Sequence, residues 1–297
     1  MIKRNEGASS RRPNRRQVGA GLIAALATSG ARAQDGTRVL EPRSYDAALI
    51  PAFSFEVIEI DARGRIGAMV RDHGTGRVAD WAQDDTFPIA SVYKLLLVAR
   101  VLSRIDGGAD RPDRTIAIGA EDVAGYAPVL GDRAGTSMTL DALCAAAVTQ
   151  SDSAAADILL RETGGVVALE DWLRASGDGV TRIAGGARST PAMLARHVDR
   201  LVLGEALSRD MRGRLAGWMI ANRTGDARIR AGVPEGWVTG DKTGTRIPDT
   251  TADVAFVVPP GRAPMTIVTL IADSTLPVTA QERLHAALTR IACGNLV

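Results

Sequence analysis

Lysine is almost missing from this chain. It occurs at Lys3, Lys94 and Lys242, and every other one of the 36 basic residues is arginine. Cysteine occurs twice and histidine three times in 297 residues. Two distant cysteines, Cys144 and Cys293, demand no disulfide, and no Cys/His cluster has metal-ligand spacing. Cys144 lies in an apolar run and reads as a buried free thiol. His73, His197 and His285 are scattered, and His197 and His285, with Arg or Glu neighbours, are expected on solvated helix faces. There is no Gly-x-Ser-x-Gly elbow, no internal repeat and no low-complexity linker. The apolar stretch at residues 18–28 is too short for a membrane span, which needs ~20 residues.

The basic charge is concentrated at the start. Residues 1–33 carry seven basic side chains against Glu6; without them the net charge turns from +2 to −4. Nothing in that balance suggests nucleic acid. The segment reads as an export signal. Arg15-Arg16 precedes the apolar stretch, and Ala31-Arg32-Ala33 is a small-x-small cleavage site, giving a mature start at Gln34. The arginine pair resembles a twin-arginine signal, with Val18 where Phe is usual, so the general secretory route stays open. The expected product, residues 34–297, is periplasmic or secreted, with no membrane anchor after cleavage.

With 45% hydrophobic residues the chain can bury a full core. Strands are expected at 64–72, 77–81, 237–242, 252–258 and 265–272. Helices are expected at 45–52, 91–103, 140–149, 154–162, 168–175, 191–203, 207–222 and 279–292. Strands at both ends thus flank a helical middle. This is an α/β (α+β) pattern, with a sheet lobe of about 45–86 and 223–297 and a helical lobe of about 87–222.

One stretch organises the chain: Ser91-Val92-Tyr93-Lys94 at the head of an apolar helix. Positions i and i+3 share a helix face, so the Lys94 amine can reach the Ser91 hydroxyl. Free N–H groups of the first turn favour a developing alkoxide. This is the layout of an activated serine nucleophile. Once the leader is removed, both remaining lysines sit in motifs: Lys94 here, and Lys242 in Asp241-Lys242-Thr243-Gly244-Thr245. Arginine stays protonated and is planar and bulky; lysine is compact and loses its proton when buried.

Three motifs stand in order: Ser91-x-x-Lys94, Ser151-Asp152-Ser153 and Lys242-Thr243-Gly244. With Asn at the third position of the middle motif, this set is the signature of class A β-lactamases and penicillin-binding proteins. The resemblance to class A β-lactamases extends to Phe87-Pro88-Ile89-Ala90, to Cys144-Ala145-Ala146-Ala147, to residues 224–232 and to residues 237–245. It implies an antiparallel five-stranded sheet flanked by helices plus an all-helical lobe. It also implies roles. Ser91 attacks a carbonyl, Lys94 takes or relays its proton, and Ser151 passes a proton to the departing nitrogen. Lys242, Thr243, Gly244 and Thr245 hold the substrate carboxylate, and the amides of Ser91 and Thr245 form the oxyanion hole. Arg228 backs the carboxylate pocket and Tyr126 forms an aromatic rim; a surface salt bridge and a core aromatic are the plain alternatives for these two.

Two positions depart from the family. Ser153 replaces Asn and is shorter, which weakens contact with a substrate amide and with Lys94. The loop at residues 183–190, Ile-Ala-Gly-Gly-Ala-Arg-Ser-Thr, is short and has no counterpart of the family's Glu-x-x-Leu-Asn. Glu170 and Asp171 lie nearby in sequence, but on a helix that the resemblance places away from the site. The expected function is therefore a monomeric, cofactor-free and metal-free serine β-lactamase with slow deacylation. The alternatives are a D,D-peptidase or esterase of the same fold, or a penicillin-binding protein that stays acylated.

Overall fold

The computed structural model describes residues 58–123 and 125–296, with the side chains of residues 295 and 296 outside that description. The export segment and the helix expected at 45–52 lie outside the described residues. Nine strands run in chain order: β1 Arg65–Asp72, β2 Val78–Trp81, β3 Phe87–Pro88, β4 Thr115–Ala117, β5 Ser137–Thr139, β6 Arg188–Ser189, β7 Val238–Arg246, β8 Thr250–Val258 and β9 Met265–Ala272. Five form an antiparallel sheet in the order β2-β1-β9-β8-β7, so chain-end strands pair with chain-start strands as the sequence pattern implies.

The sheet is covered on both faces. That is why β8 and β9 read as near-continuous apolar runs rather than alternating ones. Ala252, Val254 and Phe256 of β8 face the main core, while Ala255 and Val257 face the other side with Ala292 and Cys293 of the closing helix Val278–Leu296. Every residue from Lys94 to Leu102 in the helix Tyr93–Asp106 is buried. A helix this apolar all round belongs inside, and it packs against the helices Leu140–Thr149, Ser153–Glu162, Gly165–Ala175 and Arg209–Ala221.

Helix starts follow their capping residues. The side chains of Thr139, Asp152, Thr190 and Ser208 accept from Ala142, Ala155, Met193 and Met211 N–H, opening four helices. Two expectations are corrected. The helix from Pro191 ends at Val198, and Asp199–Leu203 continues as a wider π turn. His197 and His285 are buried: His197 pairs with Asp178 at 2.7 Å, and His285 lies between Thr269 and Thr251 hydroxyls at 2.6 and 2.9 Å. His197 is accommodated by its Nε2 bond to that carboxylate, and His285 by partners at both ring nitrogens. Cys144 and Cys293 are buried free thiols.

Candidate active site

Ser91 sits in a single 3₁₀ turn, Ala90–Val92, that feeds the buried Tyr93–Asp106 helix. The turn is tight: Ala90 adopts a φ of 43°, a left-handed value that costs a non-glycine residue of order 1 kcal/mol. Two elements hold it. On one side Ile89 N–H donates to the Ala187 carbonyl at 2.9 Å. On the other, β7 passes so close that a Cβ on Gly244 would lie 2.2 Å from the Ile89 carbonyl oxygen and 3.2 Å from the Ser91 nitrogen. Glycine at 244 lets the strand lie against the Ser91 turn.

Lys94 is 1% exposed. Its Nζ donates to the Ser151 carbonyl at 2.5 Å and to Ser153 Oγ at 3.0 Å. No Lys94–Ser91 hydrogen bond forms among the described residues; two of the three amine N–H bonds are engaged by the 151–153 turn instead. Ser153, though shorter than Asn, still reaches Lys94. Burial, against the pull of Asp152 and Asp157, lowers the Lys94 pKa to about 8.

Ser151 lies between the two lysines. Its carbonyl accepts from Lys94, and its hydroxyl accepts from Lys242 Nζ at 3.1 Å. The residue adopts a left-handed φ of 55°. Asp152 holds it there: one carboxylate oxygen accepts from Val129 and Leu130 N–H at 2.8 and 3.1 Å, the other from Ala155 N–H at 2.8 Å. Ser153 N–H donates to the Tyr126 carbonyl at 2.8 Å. Tyr126 is 61% exposed, so the core alternative for it is excluded.

Lys242 is fully buried on β7, with a second bond to the Thr243 carbonyl at 2.8 Å. Burial and the nearby Lys94 charge lower its pKa to about 7, against the opposing pull of Asp241 and Asp253. Below it lies a buried charge network. Asp241 accepts from Arg230 Nε at 2.5 Å and Asn222 Nδ2 at 2.7 Å, and burial still raises its pKa. Arg228, 3% exposed, donates to the Gly244 and Ala252 carbonyls at 2.9 and 3.0 Å and to Thr245 Oγ1 at 2.7 Å. It also pairs with Glu282 at 3.2 Å, an ion pair that is partly buried rather than superficial. Thr243 Oγ1 is 2.5 Å from Thr224 Oγ1. Asp152, Thr224 and Arg230 lie in motif stretches that the sequence offers but carry no role there, and Asn222 and Glu282 lie outside those stretches. Their signal is weak because each acts through long-range contacts that no local spacing reveals.

A cleft of about 530 Å³ opens over Ser91. Its lining includes Tyr93, Lys94, Ser153, Thr245 and Arg246 on one side and residues 185–188 of the short loop on the other. That loop is a hairpin: Arg182 and Arg188 exchange backbone bonds at 3.0 and 2.8 Å around Gly185 and Gly186, which turn with φ of 70° and 105°. Glu170 takes part from outside the cleft. Its Oε1 accepts from Ile183 and Ala184 N–H at 2.7 and 3.0 Å, and those bonds lower its pKa.

The comparisons with known proteins agree. Residues 54–296 match the family described as the beta-lactamase enzyme family. The chain belongs to the β-lactamase enzyme family. This family member is 35% identical to Beta-lactamase AST-1 of Nocardia asteroides, over 96% of this chain and 97% of that one. It is also 35% identical to Beta-lactamase L2 of Stenotrophomonas maltophilia, over 88% and 90% of the two chains. Among solved structures it superimposes on an ancestral class A β-lactamase with a TM-score of 0.80 and 40% identity, covering 82% of this chain and 99% of that chain.

Proposed function

We propose that this chain is a class A serine β-lactamase that forms its acyl-enzyme readily and hydrolyses it slowly. The carrying observation is the bridge at Ser151, whose carbonyl engages Lys94 while its hydroxyl engages Lys242. Both ammonium groups therefore meet at one residue, and the Ser151 hydroxyl has a donor, Lys242 Nζ, from which a proton it gives away can be replaced. In this reading Ser91 Oγ attacks the lactam carbonyl as neutral Lys94 takes its proton. The carbonyl carbon gains the Ser91 ester bond and loses its bond to nitrogen, and Ser151 Oγ–H protonates that nitrogen. Lys242, Thr243 and Thr245, backed by Arg228, hold the substrate carboxylate. The amides of Ser91 and Thr245 stabilise the oxyanion.

Slow turnover follows from the other wall. No carboxylate lines the cleft among the described residues. Glu170 spends its charge on two loop amides that make it a weaker base. Loss of a positioned base costs roughly 10²–10⁴-fold in rate. That wall also favours a second reading, a protein that stays acylated.

Mass spectrometry of the adduct beside steady-state hydrolysis of a chromogenic cephalosporin separates them. Turnover with a slowly decaying adduct supports the lactamase; a permanent adduct supports the second reading. Ser91→Ala is expected to abolish the adduct, and labelling that persists in it removes Ser91 as nucleophile. Ester hydrolysis without lactam reaction supports an esterase. We further place the mature protein outside the cytoplasm as a monomer, on the export-like leader; no helix among the described residues is long and apolar enough to cross a membrane.

A further inference from the structure

The cleft over Ser91 is lined by three cations, Lys94, Arg188 and Arg246, and by no anion among the described residues. The three differ in availability. Lys94 is buried and engaged by Ser151 and Ser153. Arg246 pairs with Asp249 at 3.2 Å. Arg188 has no carboxylate partner among the described residues. Its Nε and Nη2 donate to the Gly186 and Gly185 carbonyls at 3.3 and 3.1 Å, and its Nη1 donates to no described group.

Those two bonds fold the guanidinium onto its own hairpin. The hairpin in turn is fastened to the nucleophile strand, because Arg188 pairs with Pro88, three residues before Ser91, and Ala187 accepts from Ile89 N–H at 2.9 Å. Gly185 and Gly186 put no side chain at the hairpin tip, so the wall beside Arg188 is open. An arginine held by planar bonds yet lacking an anion is a preorganised carboxylate receptor, since the remaining N–H groups keep their fork geometry.

Resting on the acyl-enzyme reading above, we propose that Arg188 is a specificity-determining residue selecting acyl substrates whose side chain carries an anionic group. The lactam or acyl carbonyl sits at Ser91 and the substrate's ring carboxylate on the Lys242 side. The side chain then extends past Pro88 and Ala187 toward the free Nη1.

The test compares benzylpenicillin with its α-carboxy analogue, which differ at the side chain. The readout is the ratio of second-order rate constants for forming the Ser91 adduct, followed by mass spectrometry at low salt. The wild-type ratio is expected to favour the carboxylated substrate, and Arg188→Gln to lower that ratio roughly 2- to 5-fold, the range of a partly exposed ion pair. Arg188→Glu is expected to invert it, and added salt to shrink it. Arg182→Gln changes a charge on the same hairpin that does not line the cleft, and it is expected to keep the wild-type ratio. A wild-type ratio at or below one, or a ratio indifferent to both Arg188 variants, overturns the proposal while leaving Ser91 chemistry intact. Failure of both penicillins to label Ser91 overturns the acyl-enzyme reading, and this inference with it.

Discussion

Two sides of one cleft are built in opposite ways. Beneath Lys242, charge is buried and braced: Asp241 is held by Arg230 and Asn222, and Arg228 pairs with Glu282. Across the cleft, the 183–188 hairpin is held by its own turn, by Ile89 and by one carboxylate, Glu170. The first region underlies the Lys242 ammonium, which meets Ser151 opposite the Lys94 ammonium held by the 151–153 turn. The second sets only which side chains face the substrate. Placing chemistry on the braced side and selection on the lightly held side lets one change without disturbing the other. Variants on the two sides therefore differ in kind as well as in size.

The largest effect is expected from Lys94→Arg. The guanidinium keeps its proton and is too broad for a site where Nζ lies 2.5 Å from the Ser151 carbonyl. Acylation is expected to fall roughly 10²–10⁴-fold, measured as the rate of Ser91 labelling; a near-normal rate removes Lys94 from the proton path. Next comes the floor. Asp241→Ala leaves Arg230 and the buried Asn222 without their carboxylate, and breaking such a pair costs about 3–5 kcal/mol. Denaturant unfolding reads this directly, and an unshifted midpoint means the network is ornamental.

The two lysines also set a pH dependence. Lys94 must be neutral to accept a proton, so acylation rises as pH passes its pKa of about 8. Lys242 must be charged to hold a carboxylate, so binding weakens as pH rises through about 7. The two charges repel, and loss of the Lys94 proton lifts the Lys242 pKa, widening the window in which both states coexist. The acylation rate constant is expected to pass through a maximum between about pH 7 and 8. A flat profile across neutrality refutes the assigned proton states.

Much of the braced side was legible in the sequence and little of the wall was. Scarce lysine pointed to Lys94 and Lys242 because, beyond Lys3 in the leader-like segment, a chain so rich in arginine has lysine only there. Strand β9 fell at residues 265–272 as expected because a doubly covered strand is a near-continuous apolar run between turn residues. β7 was expected to stop at Lys242 but continues to Arg246. Its last residues are polar, and their strand geometry comes from pairing with β8, which local propensity does not see. His197 and His285 misled for the same reason: their flanks are charged, while their partners Asp178, Thr251 and Thr269 come from elsewhere in the chain. The missing loop carboxylate was plain from sequence, but not that Glu170 would turn toward the loop as its clamp.

That clamp supplies the smallest expected effect and the sharpest contrast with the floor. Glu170 has its pKa lowered chiefly by the Ala184 and Ile183 amides. Its stabilising contribution is therefore present above the ordinary carboxyl pKa and is lost as pH falls through the lowered folded value. Glu170→Gln keeps an acceptor oxygen and removes the charge, so it is expected to cost about 1 kcal/mol or less, confined to the hairpin. Hydrogen exchange at the Ile183 and Ala184 amides measures it. Protection there is expected to drop in Glu170→Gln and, in the wild type, on acidification, while the amides of β7 and β8 keep theirs. Equal losses in β7 would mean that wall and floor unfold together, and the separation drawn between them would fail.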